Sequence, residues 1–391
     1  MFSNSIPFTL KCLCCSLLSL IVFHSTVYAS EWDDKLHFNG FFTLDVTVTS
    51  EDLALVSNSN QVIAYKENSP SLKNSLIGGQ LSYSLTDNLV VVAQGKLYDK
   101  TNIQNLSSND SIAQLDWAYI SYDFGADFKV RAGRFQIPFM QGTELRSVGF
   151  SRLWARPLIP SSGAGGYKEF TGVELLKHVS TGAGNWNFQF AAGKTEHNLD
   201  TIDSKHIEVL SVRYQQGGFW LRSAVLSTEY QIFTADQQVI TDDAHAVMFS
   251  IESEYALGNY LLNAGYSKSN ADIAPDNTNS YFSFAYQFDD ITPFIYHSRF
   301  KQSFESFDVP QNNRMPPPID SSTVVRPPPQ PPQLRIGDID VNSWAVGARY
   351  NINDRYALKL QVENINVKNS VNFTLENGEG NALSIVLEGI F

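Results

Sequence analysis

The sequence predicts an all-β fold, a transmembrane antiparallel β-barrel of about sixteen strands, on three observations. No run after residue 29 approaches the roughly 18 apolar residues of a spanning helix, although the chain holds 26 Phe, 17 Tyr and 6 Trp. Apolar and polar residues alternate with a period of two in segment after segment. The connections between these segments alternate between tight and long. A closed barrel pairs every backbone group in lipid without a helix and leaves only a weak alternating signal, so low hydropathy and high aromatic content agree.

The chain begins with a short segment ending in Lys11, an apolar run from Cys12 to Phe23, and Val27-Tyr28-Ala29 at a small-residue cleavage position. Residues 1–29 therefore read as a secretory leader, too short to anchor, and residues 30–391 as one barrel domain. All three cysteines lie in the leader. The remainder suits an oxidising compartment and excludes thiol chemistry and cysteine-bound metal. The net charge is −12, and the leader contributes one lysine and no acid. An acidic exported chain argues against nucleic acid as a partner.

Strand by strand, the alternation is explicit. In "SYFSFAYQF", Phe282, Phe284, Tyr286 and Phe288 share one face, and Tyr281, Ser283, Ala285 and Gln287 the other. "NSWAVGARYN" sets Trp344, Val346, Ala348 and Tyr350 against Ser343, Gly347, Arg349 and Asn351. "YALKLQVEN" sets Leu358, Leu360 and Val362 against Lys359, Gln361 and Glu363. The last residues, "NALSIVLEGIF", place Phe391, Leu387, Ile385 and Leu383 on one face, with Gly389 interrupting, and Glu388, Val386, Ser384 and Ala382 on the other.

Tight turns fall at 85–88, 124–127, 180–185, 216–218, 257–259, 289–290 and 352–354, each with Gly, Asn or Asp. Longer polar stretches lie at 48–74, 99–110, 139–168, 195–205, 231–243, 269–279, 303–339 and 367–380. Short periplasmic turns and long extracellular loops are the habit of an outer-membrane barrel, and an even strand count returns both termini to the turn side. Phe391 then sits in an aromatic girdle. The seventh long stretch contains Pro310 to Gln333, with nine of the sixteen prolines. It cannot pair in a sheet and reads as extended solvated chain.

From Gln114 to Pro160 the motifs Trp117-Ala118-Tyr119, Tyr122-Asp123-Phe124-Gly125, Arg131-Ala132-Gly133-Arg134, Pro138, Val148-Gly149, Trp154 and Arg156-Pro157 stand in order. Together with His37 to Val46 and the terminal Phe391, this stretch resembles Gram-negative outer membrane porins of the proteobacterial general type, with some phosphate-selective features. It departs from that pattern at Ser147, Leu158 and Gly389. The resemblance implies a water-filled channel for passive diffusion of small hydrophilic solutes or ions, a homotrimer, and a third long loop folded into the pore. It also implies that Phe391 is read by the barrel assembly machinery, that outer membrane lipids surround the chain, and that no cofactor is needed.

Pores select through the charges at their narrowing. Between residues 129 and 156 stand Lys129, Arg131, Arg134, Arg146, Arg152 and Arg156 against the lone acid Glu144, in a chain otherwise acidic. This local inversion favours anions. Outward Phe128, Val130 and Ala132 imply inward Lys129 and Arg131, whereas Arg134 falls on the lipid parity, so a bulge turns it inward or it sits at the loop end of its strand. Lys96, Asp116, Arg299, Arg349, Lys359 and Glu363 are further inward candidates. Several of these arginines, on the plain alternative, merely pin the folded loop to the wall through carboxylates and carbonyls.

Other classes are weaker. Outside the leader, the histidines His37, His178, His197, His206, His245 and His297 stand in no hydrolase or metal motif, which argues against an enzyme. A secreted β-sandwich explains the aromatics but not the leader, the terminal Phe391 and the regular turns. A surface receptor or adhesin acting through the long loops is compatible with the same barrel.

Overall fold

The computed structural model describes residues 35–56, 62–102, 105–156, 167–197, 202–233, 239–272, 276–303, 338–369 and 378–391. The expected leader, 1–29, and the proline-rich stretch, 310–333, lie outside the described residues. His37–Phe391 form one compact unit, the barrel.

The first strand, β1 (Leu36–Thr49), is followed by a small hairpin, β2 (Leu53–Val56) and β3 (Val62–Tyr65). The wall continues through β4 (Leu76–Thr86), β5 (Leu89–Asn102), β6 (Asn105–Asp123), β7 (Phe128–Gln136), β8 (Tyr167–Thr181), β9 (Gly184–His197) and β10 (Ile202–Gln216). It is completed by β11 (Phe219–Phe233), β12 (Val239–Leu257), β13 (Tyr260–Ala271), β14 (Asp276–Tyr286), β15 (Ile291–Ser303), β16 (Ile339–Asn351), β17 (Tyr356–Asn369) and β18 (Gly378–Ile390). Between β7 and β8 lie a one-turn helix, α1 (Gln141–Glu144), and a 3₁₀ turn, Gly149–Ser151.

β1 and β4–β18 close into a single antiparallel barrel of sixteen strands, with β1 beside β18 and β2–β3 forming a separate small sheet. The closing ladder runs from Phe41↔Ile390 to Thr49↔Ala382. Closure removes every sheet edge, which is what lets strands sit in lipid. Each of the seven tight turns falls where the sequence places it, between β4–β5, β6–β7, β8–β9, β10–β11, β12–β13, β14–β15 and β16–β17.

Side-chain parity follows the alternation. Phe282, Trp344, Val346, Leu360 and Ile385 point outward and are 47–54% exposed. Their strand neighbours Ser283, Ser343, Gln361 and Ser384 point inward and are buried. An apolar exterior over a polar interior is stable only if lipid, not water, surrounds the wall.

Phe391 closes the exterior seam. Its backbone N–H donates to the Gly40 carbonyl and its carbonyl accepts from the Gly40 N–H. Its ring lies so close that a Cβ on Gly40 would come within 2.2 Å of it, so only glycine fits there.

Several expected loops are shorter than their polar composition suggests. The β5–β6 ladder continues through Lys100↔Asp110 to Asn102↔Asn105, inside the stretch 99–110. The β11–β12 ladder likewise reaches Phe233↔Val239, inside 231–243. Pairing a backbone needs no apolar side chain, so strands run on past the lipid-facing band. The first long stretch, 48–74, contains the β2–β3 hairpin. Its Leu53 and Tyr65 pack on the inward Val341, Ile365, Val367 and Ala382 of β16–β18, covering that wall near the loop end.

Candidate pore constriction

The segment from Ile137 to Arg156 leaves the wall after β7 and folds into the barrel. Apolar residues carry its first half: Ile137, Phe139 and Met140 are fully buried against inward Ile207, Val209, Leu226 and Met248 of β10–β12. Polar anchors fix its turn. Arg222 on β11 donates to Glu144 at 2.6 Å and to the Pro138 carbonyl at 2.8 Å. Ser250 donates to the Phe139 carbonyl at 2.8 Å, and Glu252 accepts the Gln141 N–H at 2.6 Å. Inside α1's first turn, Thr143 caps the Ile137 and Met140 carbonyls, each at 2.6 Å.

The second half docks on other strands. Ser147 bridges Lys96 of β5 and Asp116 of β6, at 2.9 and 2.8 Å, and those two form an ion pair at 2.9 Å. Asp116 reaches this position through a bulge: Gln94 opposes Trp117 and Gly95 opposes Leu115, leaving Asp116 as the extra residue. Gly149 packs onto β18 and β1, where a Cβ would meet Glu388 at 2.0 Å and Thr43 at 2.8 Å. Arg349 of β16 donates to the Phe150 and Arg152 carbonyls at 2.7 and 2.9 Å. Lys359 of β17 donates to the Gly149 carbonyl at 2.9 Å and is ion-paired with the buried Glu388. Arg156 pairs with Glu363 at 2.6 Å and donates to Ser384 at 2.6 Å and Thr47 at 3.1 Å.

The segment is thus tied to β5–β6 on one side, β11–β12 on another, and β16–β18 with β1 on a third. Wall cations and Ser250 satisfy several of its carbonyls, Arg156 meets the wall carboxylate of Glu363, and Arg152 donates to the Arg146 carbonyl within the segment, which meets the hydrogen-bonding requirement of chain buried inside a protein. Burial pushes the Arg146 guanidinium down to about 10, opposed by the carboxylates of Glu169 and Asp116. For Arg156 burial acts the same way, but Glu363, Tyr65 and Asp45 outweigh it and hold the proton more firmly than usual.

Of the residues singled out from the sequence, the structure brings together Lys96, Asp116, Glu144, Arg146, Arg152, Arg156 and Arg349 at this inner segment. Arg131 faces the lumen, 3.0 Å from Glu174 and 5.2 Å from the Tyr119 ring. Three residues lie elsewhere. Lys129 is at the turn end, exposed and 3.2 Å from Asp123. Arg134 keeps the outward parity opposite Ala118 and Thr171 and is the last residue of β7 to pair with β6; Glu169 meets it at 3.1 Å. No bulge turns it inward, because β7 leaves β6 at that point. Arg299, expected inside, faces outward: inward Phe294, Tyr296 and Ser298 fix the parity of β15, and Arg299 forms a two-bond pair with Asp340 at 3.0 and 2.7 Å. The exposed Ile295 shares the parity of Arg299 and marks that face of β15 as outward.

Sequence reasoning also missed Glu174, Arg213, Arg222, Glu252 and Glu254, all inward, and placed Glu388 on the inner face without naming it as part of the site. The same period-two count finds them, since Arg222 opposes the parity of Val225, and Glu252 and Glu254 that of Ile251. Arg131, Arg156 and Arg222 therefore meet acids supplied by other elements, and the inversion visible in residues 129–156 is largely balanced in space.

Water reaches the wall unevenly. Inward Ser82, Ser84, Ser121, Arg131, Gln189 and Arg213, on β4–β10, are half-buried. Inward Arg222, Glu252, Tyr296, Lys359, Gln361 and Glu388, on β11–β18, are buried beneath the folded segment or against its anchors. Among the described residues no group of His, Cys, Asp and Glu could hold a metal ion.

No protein-family model matches the chain, and no curated protein matches it. Solved structures do. The anion-selective porin from Comamonas acidovorans superposes with a TM-score of 0.57 at 11% identity, over 91% of this chain and 99% of that one. OmpF of Salmonella typhi, in complex with daunomycin, gives 0.55 at 15% identity over 91% and 97%. OmpT of Vibrio cholerae, an outer membrane protein, gives 0.53 at 10% identity over 91% and 97%. At such identities the likeness is one of fold. The chain has the fold of the Gram-negative outer membrane porins.

Proposed function

We propose that the protein is an outer membrane porin, a passive channel for small hydrophilic solutes, with no catalytic role. The carrying observation is the division of the wall: a lipid-compatible exterior, and an interior along β4–β10 whose Ser82, Ser121, Gln189, Arg131 and Arg213 reach water. A folded segment pinned against β11–β18 leaves that side as the solute path. In this reading an anion preference rests on Arg213 and on Arg131, which stays partly exposed although paired with Glu174, since the cations of the folded segment are buried and engaged by carboxylates and carbonyls. Export by the leader, recognition of Phe391 by the barrel assembly machinery, and assembly as a trimer belong to the same proposal. An anion-selective porin among the structures of like fold supports the channel reading.

Planar-bilayer recording of the purified protein tests it. Stepwise conductance with a reversal potential of anionic sign in a salt gradient is expected, and Arg131→Ala moves that potential toward zero. A protein that inserts without conducting contradicts the channel.

A further inference from the structure

Arg213 stands apart from the other inner cations. Its guanidinium lies 4.6 Å above the Trp220 ring, and among the described residues no carboxylate comes within ion-pair distance of it. Its Nε is buried against the ring without a hydrogen-bond partner, while the side chain as a whole is half-buried. A guanidinium held flat on an aromatic face keeps its N–H edge free for a carboxylate.

The same indole holds an acid at its N–H edge. Trp220 donates from Nε1 to Glu254 at 3.1 Å, and the ladders align Gln215, Trp220 and Glu254 in one cross-strand row over β10–β12. Arg213, opposite Arg222, begins the next row. The neighbouring acids are already engaged: Glu144 by Arg222 at 2.6 Å, and Glu252 by the Gln141 N–H and by Arg222 at 4.0 Å. Arg213 and Glu254 are half-buried, whereas the Trp220 that both touch is buried. One positive and one negative group thus face the lumen, each in contact with the same ring and not paired with each other.

Resting on the channel reading above, we propose that Arg213 and Glu254, spaced by Trp220, form a solute subsite for small dipolar molecules that carry a carboxylate and an ammonium, such as an α-amino acid. The carboxylate meets Arg213 and the ammonium meets Glu254. Neither group alone favours such a solute, because its net charge is zero; the pair does.

Proteoliposome swelling tests this with glycine and its uncharged isomer glycolamide, which have the same mass. The wild type is expected to admit glycine faster than glycolamide. Arg213→Gln and Glu254→Gln should each lower the glycine-to-glycolamide ratio by about two- to fivefold, the worth of one partly exposed charge interaction, and in a salt gradient they should shift the reversal potential in opposite directions. Glycolamide entry in each variant reports a folded, open channel. A ratio unmoved in both variants overturns the subsite while leaving the channel standing; no entry of either solute through wild type overturns the channel itself.

Discussion

Arg156 shows how a single residue holds the inner segment. It is 3% exposed and meets Glu363, Ser384 and Thr47, three groups on three adjacent strands. Removing one partner of a buried pair strands the other, at a cost of about 3–5 kcal/mol. Arg156→Ala should therefore lower the urea midpoint of the detergent-solubilised barrel, and Arg156→Ala with Glu363→Gln should recover part of the loss. Equal midpoints for wild type and Arg156→Ala would show that the pair carries no stability. Arg156 was legible as a pore-region cation because five other bases and one acid surround it in sequence. Its partner was not, because Glu363 lies 207 positions away and only barrel closure brings β17 to it.

At the scale of elements, the folded segment has an apolar foot on β10–β12 and polar ties elsewhere. Arg222 secures the foot's end through Glu144 and the Pro138 carbonyl. Hydrogen bonds to a charged group contribute about 1.5–3 kcal/mol each, so Arg222→Gln should loosen the turn and raise open-channel current noise in bilayer recordings. Noise at the wild-type level would mean that the apolar contacts of Phe139 and Met140 suffice. The strands were readable because alternation is local: "SYFSFAYQF" announces its own two faces. The β2–β3 hairpin was hidden because its apolar residues look like scattered loop positions until Val341, Ile365 and Val367 are seen to need a cover. The reach of β5 and β6 past the lipid band was hidden for the opposite reason, polar side chains on a fully paired backbone.

For the whole molecule, the decisive property is which side of the wall meets lipid. Leu360 is outward and 51% exposed; Leu360→Arg should destabilise the barrel in bilayers by about 2–4 kcal/mol near the midplane, measured by urea titration of folding into vesicles. An unchanged titration would place that face in water. Because residues 30–391 contain no cysteine, thiols can be introduced singly without background. The sharpest test is the response of single-channel current to a charged, water-soluble thiol reagent in Ser121→Cys and Leu360→Cys. Current that falls on modification of Ser121→Cys and is indifferent in Leu360→Cys is the expected result; an unresponsive Ser121→Cys channel, or a Leu360→Cys channel that closes instead, would contradict a water path along β4–β10 inside a lipid-facing wall.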